Sequence, residues 1–199
     1  MRILTVLRTG GEYAPEHVER LRDQCGKFAP GIPFHCISDV DVPGRLKMKH
    51  DWPGWWAKME AFRFRGPCLY MDLDTTLTGM LGRLVSIAHE RPFVVLRDFN
   101  FPVREVQSSV MAWRGDMRRL YTAFAADPAK HMQENNCGRW WGDQGFIERR
   151  AKREYWQDVL PGACVSHKKH CKDGVPHGAR VVVFHGRPRP WEVSGVTDG

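Results

Sequence analysis

Residues Leu69–Leu77 read LYMDLDTTL, an apolar run that ends in two carboxylates one residue apart. Acids are poor strand formers, so Asp72 and Asp74 mark the place where a buried strand stops. In an open α/β sheet the carboxyl ends of the strands are where ligands bind. Spaced i and i+2, the two side chains can point to one side and share a hard cation, Mn2+ or Mg2+. An ion held there would neutralise charge on a departing diphosphate. The plain alternative is an exposed turn that carries two acids.

Upstream of this stretch, the apolar run Arg2–Leu7 is followed at once by Arg8, Thr9, Gly10 and Gly11, the pattern of a buried strand that ends in a turn. From Pro15 to Phe28 the apolar residues Val18, Leu21, Cys25 and Phe28 recur at helical steps, with acids early and Lys27 late. Ile32–Ile37 reads as a second strand, so the chain opens β-α-β, the start of a Rossmann-like sheet. The polar stretch 39–54 reads as loop and Trp55–Phe64 as helix. Downstream of the two acids the sequence predicts a helix over Leu81–His89 and strands over Phe93–Leu96 and Ser109–Trp113. Helices over Met117–Phe124 and Gln144–Glu154 and a last strand over Arg180–Phe184 complete the reading. The expected class is α/β, with a mixed sheet flanked by helices in a single domain over residues 1–191 and a flexible tail over 192–199.

Composition narrows the function. The 199 residues carry 30 Lys and Arg against 23 Asp and Glu, a formal charge of +7, which points to an anionic partner: nucleic acid, membrane surface or a phosphorylated small molecule. The chain has no apolar stretch near the roughly 20 residues of a membrane span, and its first residues lack the form of a signal peptide. Six scattered cysteines without a CxxC pair read as free thiols, so a cytoplasmic location is expected. The basic residues are interleaved with acids and form no nucleic-acid-binding signature, so no nucleic-acid partner is expected. Cys164–His177 contains Cys and His residues at a spacing that matches no common zinc module, and its lysines, with Lys168 foremost, read instead as a basic flap over phosphate.

The run DLDTTL stands in a segment of a kind that two known families share. It resembles the first motif of haloacid-dehalogenase-type phosphatases, which implies Asp72 as a nucleophile. In that family, however, the motif lies on the first strand, and GDQGFI at 142–147 lacks the second acid that a later motif would need. The other resemblance covers most of the chain. A strand ending in DxD, the partial match Gln107–Met111, the GDQ of Gly142–Gln144 and the closing Phe184–Trp191, FHGRPRPW, stand in the order of a GT-A-fold glycosyltransferase similar to the glycogenin and galactosyltransferase-like group, family 8. This resemblance implies a metal-dependent transfer of a sugar from a nucleotide-diphosphate donor to an unknown acceptor.

The resemblance also assigns residues. It implies Asp72 as a contact to metal and ribose, Asp74 as a direct metal ligand, and Arg8, Thr9 and Tyr13 around the nucleotide. It makes Lys58 and Ser109 donor contacts, and Asp143 and Gln144 the residues beside the transferred sugar, with an N-cap as the other reading of Asp143. In the closing element Gly186, Arg187, Pro190 and Trp191 match and Arg189 stands where the family has Lys, a cation still suited to phosphate; Lys168 of the basic flap reads as a further contact to the diphosphate. The family's third metal ligand, a His three residues before the Gly, falls on Val183. His185, two residues on along a strand, can face the same side, or it can be a strand-end histidine bonded to backbone. The acceptor, the sugar, the stereochemical outcome and the oligomeric state stay open.

Overall fold

The computed structural model describes residues 1–193; residues 194–199, most of the expected tail, lie outside the described residues. Twelve strands form over Arg2–Leu7 (β1), Phe34–Ser38 (β2), Arg45–Lys47 (β3), Cys68–Met71 (β4), Thr75–Leu77 (β5), Phe93–Arg97 (β6), Val106–Trp113 (β7), Asn136–Cys137 (β8), Trp140–Trp141 (β9), Glu154–Tyr155 (β10), Cys164–Ser166 (β11) and Val181–Val183 (β12). Helices cover Pro15–Phe28 (α1), Gly82–Glu90 (α2), Arg118–Ala126 (α3), Pro128–Glu134 (α4), Gly142–Arg150 (α5), Trp156–Val159 (α6) and His167–His170 (α7), with a 3-10 helix over Gly54–Arg63.

Seven strands make the central mixed sheet in the order β10-β6-β7-β4-β1-β2-β3. Strand β1 lies between β2 and β4 and is parallel to both, whereas β7 runs antiparallel to β4 and β6. The chain leaves β1 toward β2 on one side and returns to β4 on the other. The carboxyl ends of β1 and β4 therefore flank a topological switch point, where such sheets open a crevice. A second sheet, β11-β12-β5, carries the segment after the two acids, because Thr75, Thr76 and Leu77 pair antiparallel with Val183, Val182 and Val181.

Side-chain alternation divides the core between the two faces of the large sheet. Ile3, Leu7, Leu69 and Met71 pack with Val18 and Leu21 of α1 and Leu84 and Ile87 of α2. Leu4, Cys68 and Tyr70 face the other way, onto Trp56, Met59 and Phe62 of the 3-10 helix and Leu120 and Phe124 of α3. Tyr70 and the residue two beyond it, Asp72, thus look toward the 3-10 helix that carries Lys58.

The opening β-α-β unit, the strand before the two acids and the central mixed sheet match the sequence expectation. The differences lie at short elements. The expected helix 144–154 ends at Arg150, where two arginines close its last turn, and Glu154–Tyr155 joins the sheet edge beside β6. The expected loop 39–54 contains the short edge strand β3. Glu192, placed in the tail by sequence, sits in a 3-10 turn and accepts a hydrogen bond from the Arg189 backbone N–H at 2.8 Å. All six cysteines are free thiols.

Candidate active site

Between the loop after β1, the start of the 3-10 helix and the end of β4 lies a cleft of about 650 Å3. Of the residues expected from sequence, Arg8, Thr9, Tyr13, Lys58, Asp72 and Arg189 line it, joined by Glu12, Trp55 and Tyr70, which the sequence reading left out. The turn after β4 is tight. Thr75 returns its N–H and its hydroxyl to the Asp72 carbonyl at 3.1 and 2.8 Å, and the Arg20 guanidinium, from α1, donates to the carbonyls of Leu73 at 2.6 Å and Thr75 at 2.9 Å. The backbone that carries the two acids is thereby held in place.

Asp72 belongs to a closed network. Its Oδ2 accepts from Lys58 Nζ at 2.9 Å and its Oδ1 from the Tyr70 hydroxyl at 2.7 Å. Lys58 also donates to Ser108 Oγ at 2.9 Å and lies 3.5 Å from Asp143 Oδ2, which accepts from that same Ser108 hydroxyl at 2.5 Å. Burial alone would push the Lys58 ammonium below its ordinary value, but Asp143 and then Asp72 outweigh it and keep the group charged. Burial raises Asp143, with Lys58 and Ser108 pulling the other way.

Asp74 stands in a different setting. Its Oδ2 accepts from the Tyr13 hydroxyl at 3.0 Å and pairs with the Arg189 guanidinium, which in turn pairs with Glu12. Its Oδ1 is buried and has no hydrogen-bond partner among the described residues. Burial first, and the neighbouring Asp72 charge second, push its carboxyl up to about 7. Leaving a carboxylate oxygen bare in the interior is costly, and either a proton or a cation on Oδ1 would relieve that cost.

The donor set fits a hard cation. Asp72 and Asp74 offer carboxylate oxygens, and one of those oxygens is unpartnered. No three His, Cys, Asp or Glu side chains converge among the described residues, and His185 does not complete such a set. Its Nε2 is 2.7 Å from Ser166 Oγ, and its ring stacks on Phe99 with centroids 5.4 Å apart. The Cys and His residues of 164–177 make no cluster either: His170 Nδ1 accepts from the Ser166 backbone N–H at 3.0 Å, a local contact that closes the short helix α7.

Other expected residues take places that sequence alone did not give. Arg8 is spent on Asp39 and Asp51, and Thr9 holds Asp39 through its backbone N–H at 3.1 Å and its hydroxyl at 2.6 Å. Tyr13 uses its hydroxyl on Asp74, and the Arg189 guanidinium lies over its ring, 5.3 Å from the centroid. Asp143 does not cap α5; Trp141 holds the N-cap position and Asp143 turns inward to Lys58. Gln144 accepts from the Ser108 backbone N–H at 3.3 Å. Ser109 contributes its carbonyl, which accepts from the Asp72 N–H at 2.8 Å, while its hydroxyl accepts from Gln107 at 2.5 Å. Ser108 is the serine that reaches Lys58 and Asp143, and a register shift between β6 and β7 breaks the alternation that would have distinguished the two serines. Lys168 and Gly186 are neighbours: a Cβ on Gly186 would sit 3.3 Å from Lys168 Nζ, and the glycine takes a φ of +82°.

This arrangement, a switch-point cleft with two acids at the end of the strand beside β1, belongs to the GT-A fold of sugar transferases. Solved structures carry the likeness. GlyE, a glycosyltransferase of Streptococcus pneumoniae TIGR4, aligns over 96% of this chain and 56% of its own with a TM-score of 0.66 and 13% identity. The galactosyltransferase LgtC, in complex with donor and acceptor sugar analogues, aligns over 99% of this chain and 91% of its own with a TM-score of 0.66 and 11% identity. WbbM, a bifunctional glycosyltransferase, aligns over 96% of this chain and 46% of its own, with a TM-score of 0.59 and 10% identity. The chain thus spans about half of GlyE and WbbM and most of LgtC. No family model matches the sequence, and no curated protein does.

Proposed function

We propose that this chain is a glycosyltransferase that takes a sugar from a nucleotide-diphosphate donor and passes it to an acceptor hydroxyl, with a divalent cation, Mn2+ or Mg2+, held by Asp72 and Asp74. The observation that supports this best is the bare, buried Oδ1 of Asp74 beside a cleft whose rim carries Arg189. A cation bound there supplies charge neutralisation at the leaving diphosphate.

The chain's own residues account for the rest. Lys58 fixes the Asp72 carboxylate, and through Ser108 the Asp143 carboxylate, so neither can swing. Arg189 is a planar cation suited to phosphate oxygens, and Lys168 beside Gly186 makes no ion pair among the described residues. Gln144 and Asp143 sit at the start of α5, against β7, where they orient the transferred sugar. A cytoplasmic location belongs to the same proposal and rests on the six unpaired thiols. Among the described residues no helix is long and apolar enough to cross a membrane. The phosphatase reading and the nucleic-acid reading gain nothing from the likeness to glycosyltransferases.

The test is a thermal-shift panel of nucleotide-diphosphate sugars with and without Mn2+. A donor that raises the melting temperature only with Mn2+, and loses that effect in Asp74→Ala, is the expected result. Absence of a shift with every donor, or phosphate release from monoesters that Asp72→Asn abolishes, refutes the proposal.

A further inference from the structure

Between the far end of the 3-10 helix and the start of α3 the surface opens into a second cavity, of about 730 Å3, which shares no lining residue with the cleft beside Asp72. Gly54 and Trp55, at one end of the 3-10 helix, line the cleft, and Arg63, at the other end, lines this cavity. A rise of about 2 Å per residue puts about 18 Å between those ends. The wall is basic: Lys49, Arg63, Arg118 and Arg119 face one acid, Asp116. That acid is already taken, by Arg118 at 2.7 Å and Arg65 at 3.2 Å, whereas Lys49 and Arg119 make no ion pair among the described residues. Arg118 and Arg119 also open α3, whose first turn holds no acid, although the positive end of a helix favours one.

The inner wall is held in place from behind. The Arg63 side chain is only 10% exposed; it donates to the Lys47 carbonyl at 3.1 Å and pairs with Glu60 at 3.2 Å, while its Nε is buried without a partner among the described residues. Glu60, fully buried, also accepts from the backbone N–H groups of Lys49 at 2.8 Å and His50 at 2.6 Å. One carboxylate thus fixes Arg63 and the Lys49 backbone side by side. The Tyr121 hydroxyl, 2.6 Å from His50 Nε2, adds a polar group to the same wall. A buried cation with an unmet donor is costly, and an anion lodged in the cavity would relieve that cost.

We infer that this cavity is a second binding site, for a soluble ligand that carries two or more phosphate groups. Guanidinium groups take phosphate oxygens in pairs, and an ammonium adds a point charge. The two unpaired cations, Lys49 and Arg119, come from different elements, so they suit two phosphates better than one. A hollow of this volume admits a discrete small molecule, whereas a membrane surface would meet only its rim. The site stands apart from the transferase reading and does not depend on it.

The experiment is isothermal titration calorimetry of the whole chain with pyrophosphate, free of divalent cations. The expected result is binding that Lys49→Glu and Arg119→Glu each weaken about tenfold or more, while Lys152→Glu, the same charge change on an exposed lysine that lines neither cavity, stays within about twofold of the parent. Lys49→Gln and Arg119→Gln give smaller losses in the same direction, which separates lost binding from lost folding. Arg189→Met, which takes a cation from the cleft, keeps this site. Absence of pyrophosphate binding overturns the inference, as does binding that both Glu variants leave unchanged. A loss that Lys152→Glu reproduces, a loss seen only in Arg189→Met, or binding confined to phosphatidylglycerol vesicles overturns it equally.

Discussion

The two walls of the cleft hold their carboxylates in opposite ways. On the Lys58 wall, Asp72 and Asp143 share one buried ammonium, and a tyrosine and a serine complete the set. On the Arg189 wall, Asp74 has partners on one oxygen only among the described residues, and the cation it uses reaches in from the closing segment and is shared with Glu12 at the rim. Asp72 and Asp74 are two residues apart in sequence, yet the first is a fixed part of the scaffold and the second keeps an open valence. In the proposed cation site the two acids are therefore unequal: one is oriented so that the other is left to be used.

Removing the Lys58 cation is the strongest way to break that contrast. Lys58→Met would strand the buried Asp143 and the half-buried Asp72, and breaking such a cluster costs about 3–5 kcal/mol. Urea denaturation checks this, and a loss below about 1 kcal/mol would mean that water already screens the wall. Arg189→Met should cost less, about 1–3 kcal/mol, since one carboxylate rather than two loses its cation at this wall's buried end, Asp74 keeps Tyr13, and Glu12 is at the rim. It should also separate two affinities. With Asp74 relieved of its guanidinium, Mn2+ alone binds more tightly in calorimetry, while a nucleotide diphosphate binds more weakly. If both affinities fell together, the guanidinium would be helping to build the cation site rather than competing for it.

What was legible in the sequence follows the same division. Strand β4 was readable because four apolar residues run straight into acids, and helix α1 because its apolar steps and end charges agree. Tyr70 carried a signal that went unused: two residues before Asp72 on a strand, it had to share that face. Ser108 carried none, since the irregular register of β6 and β7 decides which of two adjacent serines turns inward. The small sheet was hidden because Thr75–Leu77 find their partner about a hundred residues later, at Val181–Val183, and local pattern does not report pairings of that range. For the same reason His185 could be read as a ligand. Its neighbour Ser166 lies on β11, brought alongside only by the parallel pairing of β11 and β12.

The smallest effect concerns how the Arg189 wall is fastened. Trp191, two residues beyond Arg189, stacks on the His17 ring with centroids 3.7 Å apart, and its edge meets Tyr13 at 6.0 Å. His17 Nδ1 accepts from the Ala14 backbone N–H at 2.9 Å, which requires an unprotonated nitrogen. Burial pushes this imidazole below its ordinary value; Arg20 and Arg189 act in the same sense, and Glu16 and Glu12 oppose them. Because the folded value is the lower one, the unfolded chain takes up its proton first as the pH falls. The stability His17 contributes is therefore present above about pH 6.5 and lost below it. His17→Phe keeps a ring against Trp191 but removes the titration, so its melting temperature should fall less between pH 7 and about pH 5 than that of the parent. Among the described residues the Lys58 wall has no histidine partner, and it should show no matching difference. An acid loss identical in parent and variant would mean that the closing segment is held by Arg189 and Glu12 alone, independent of the proton on His17.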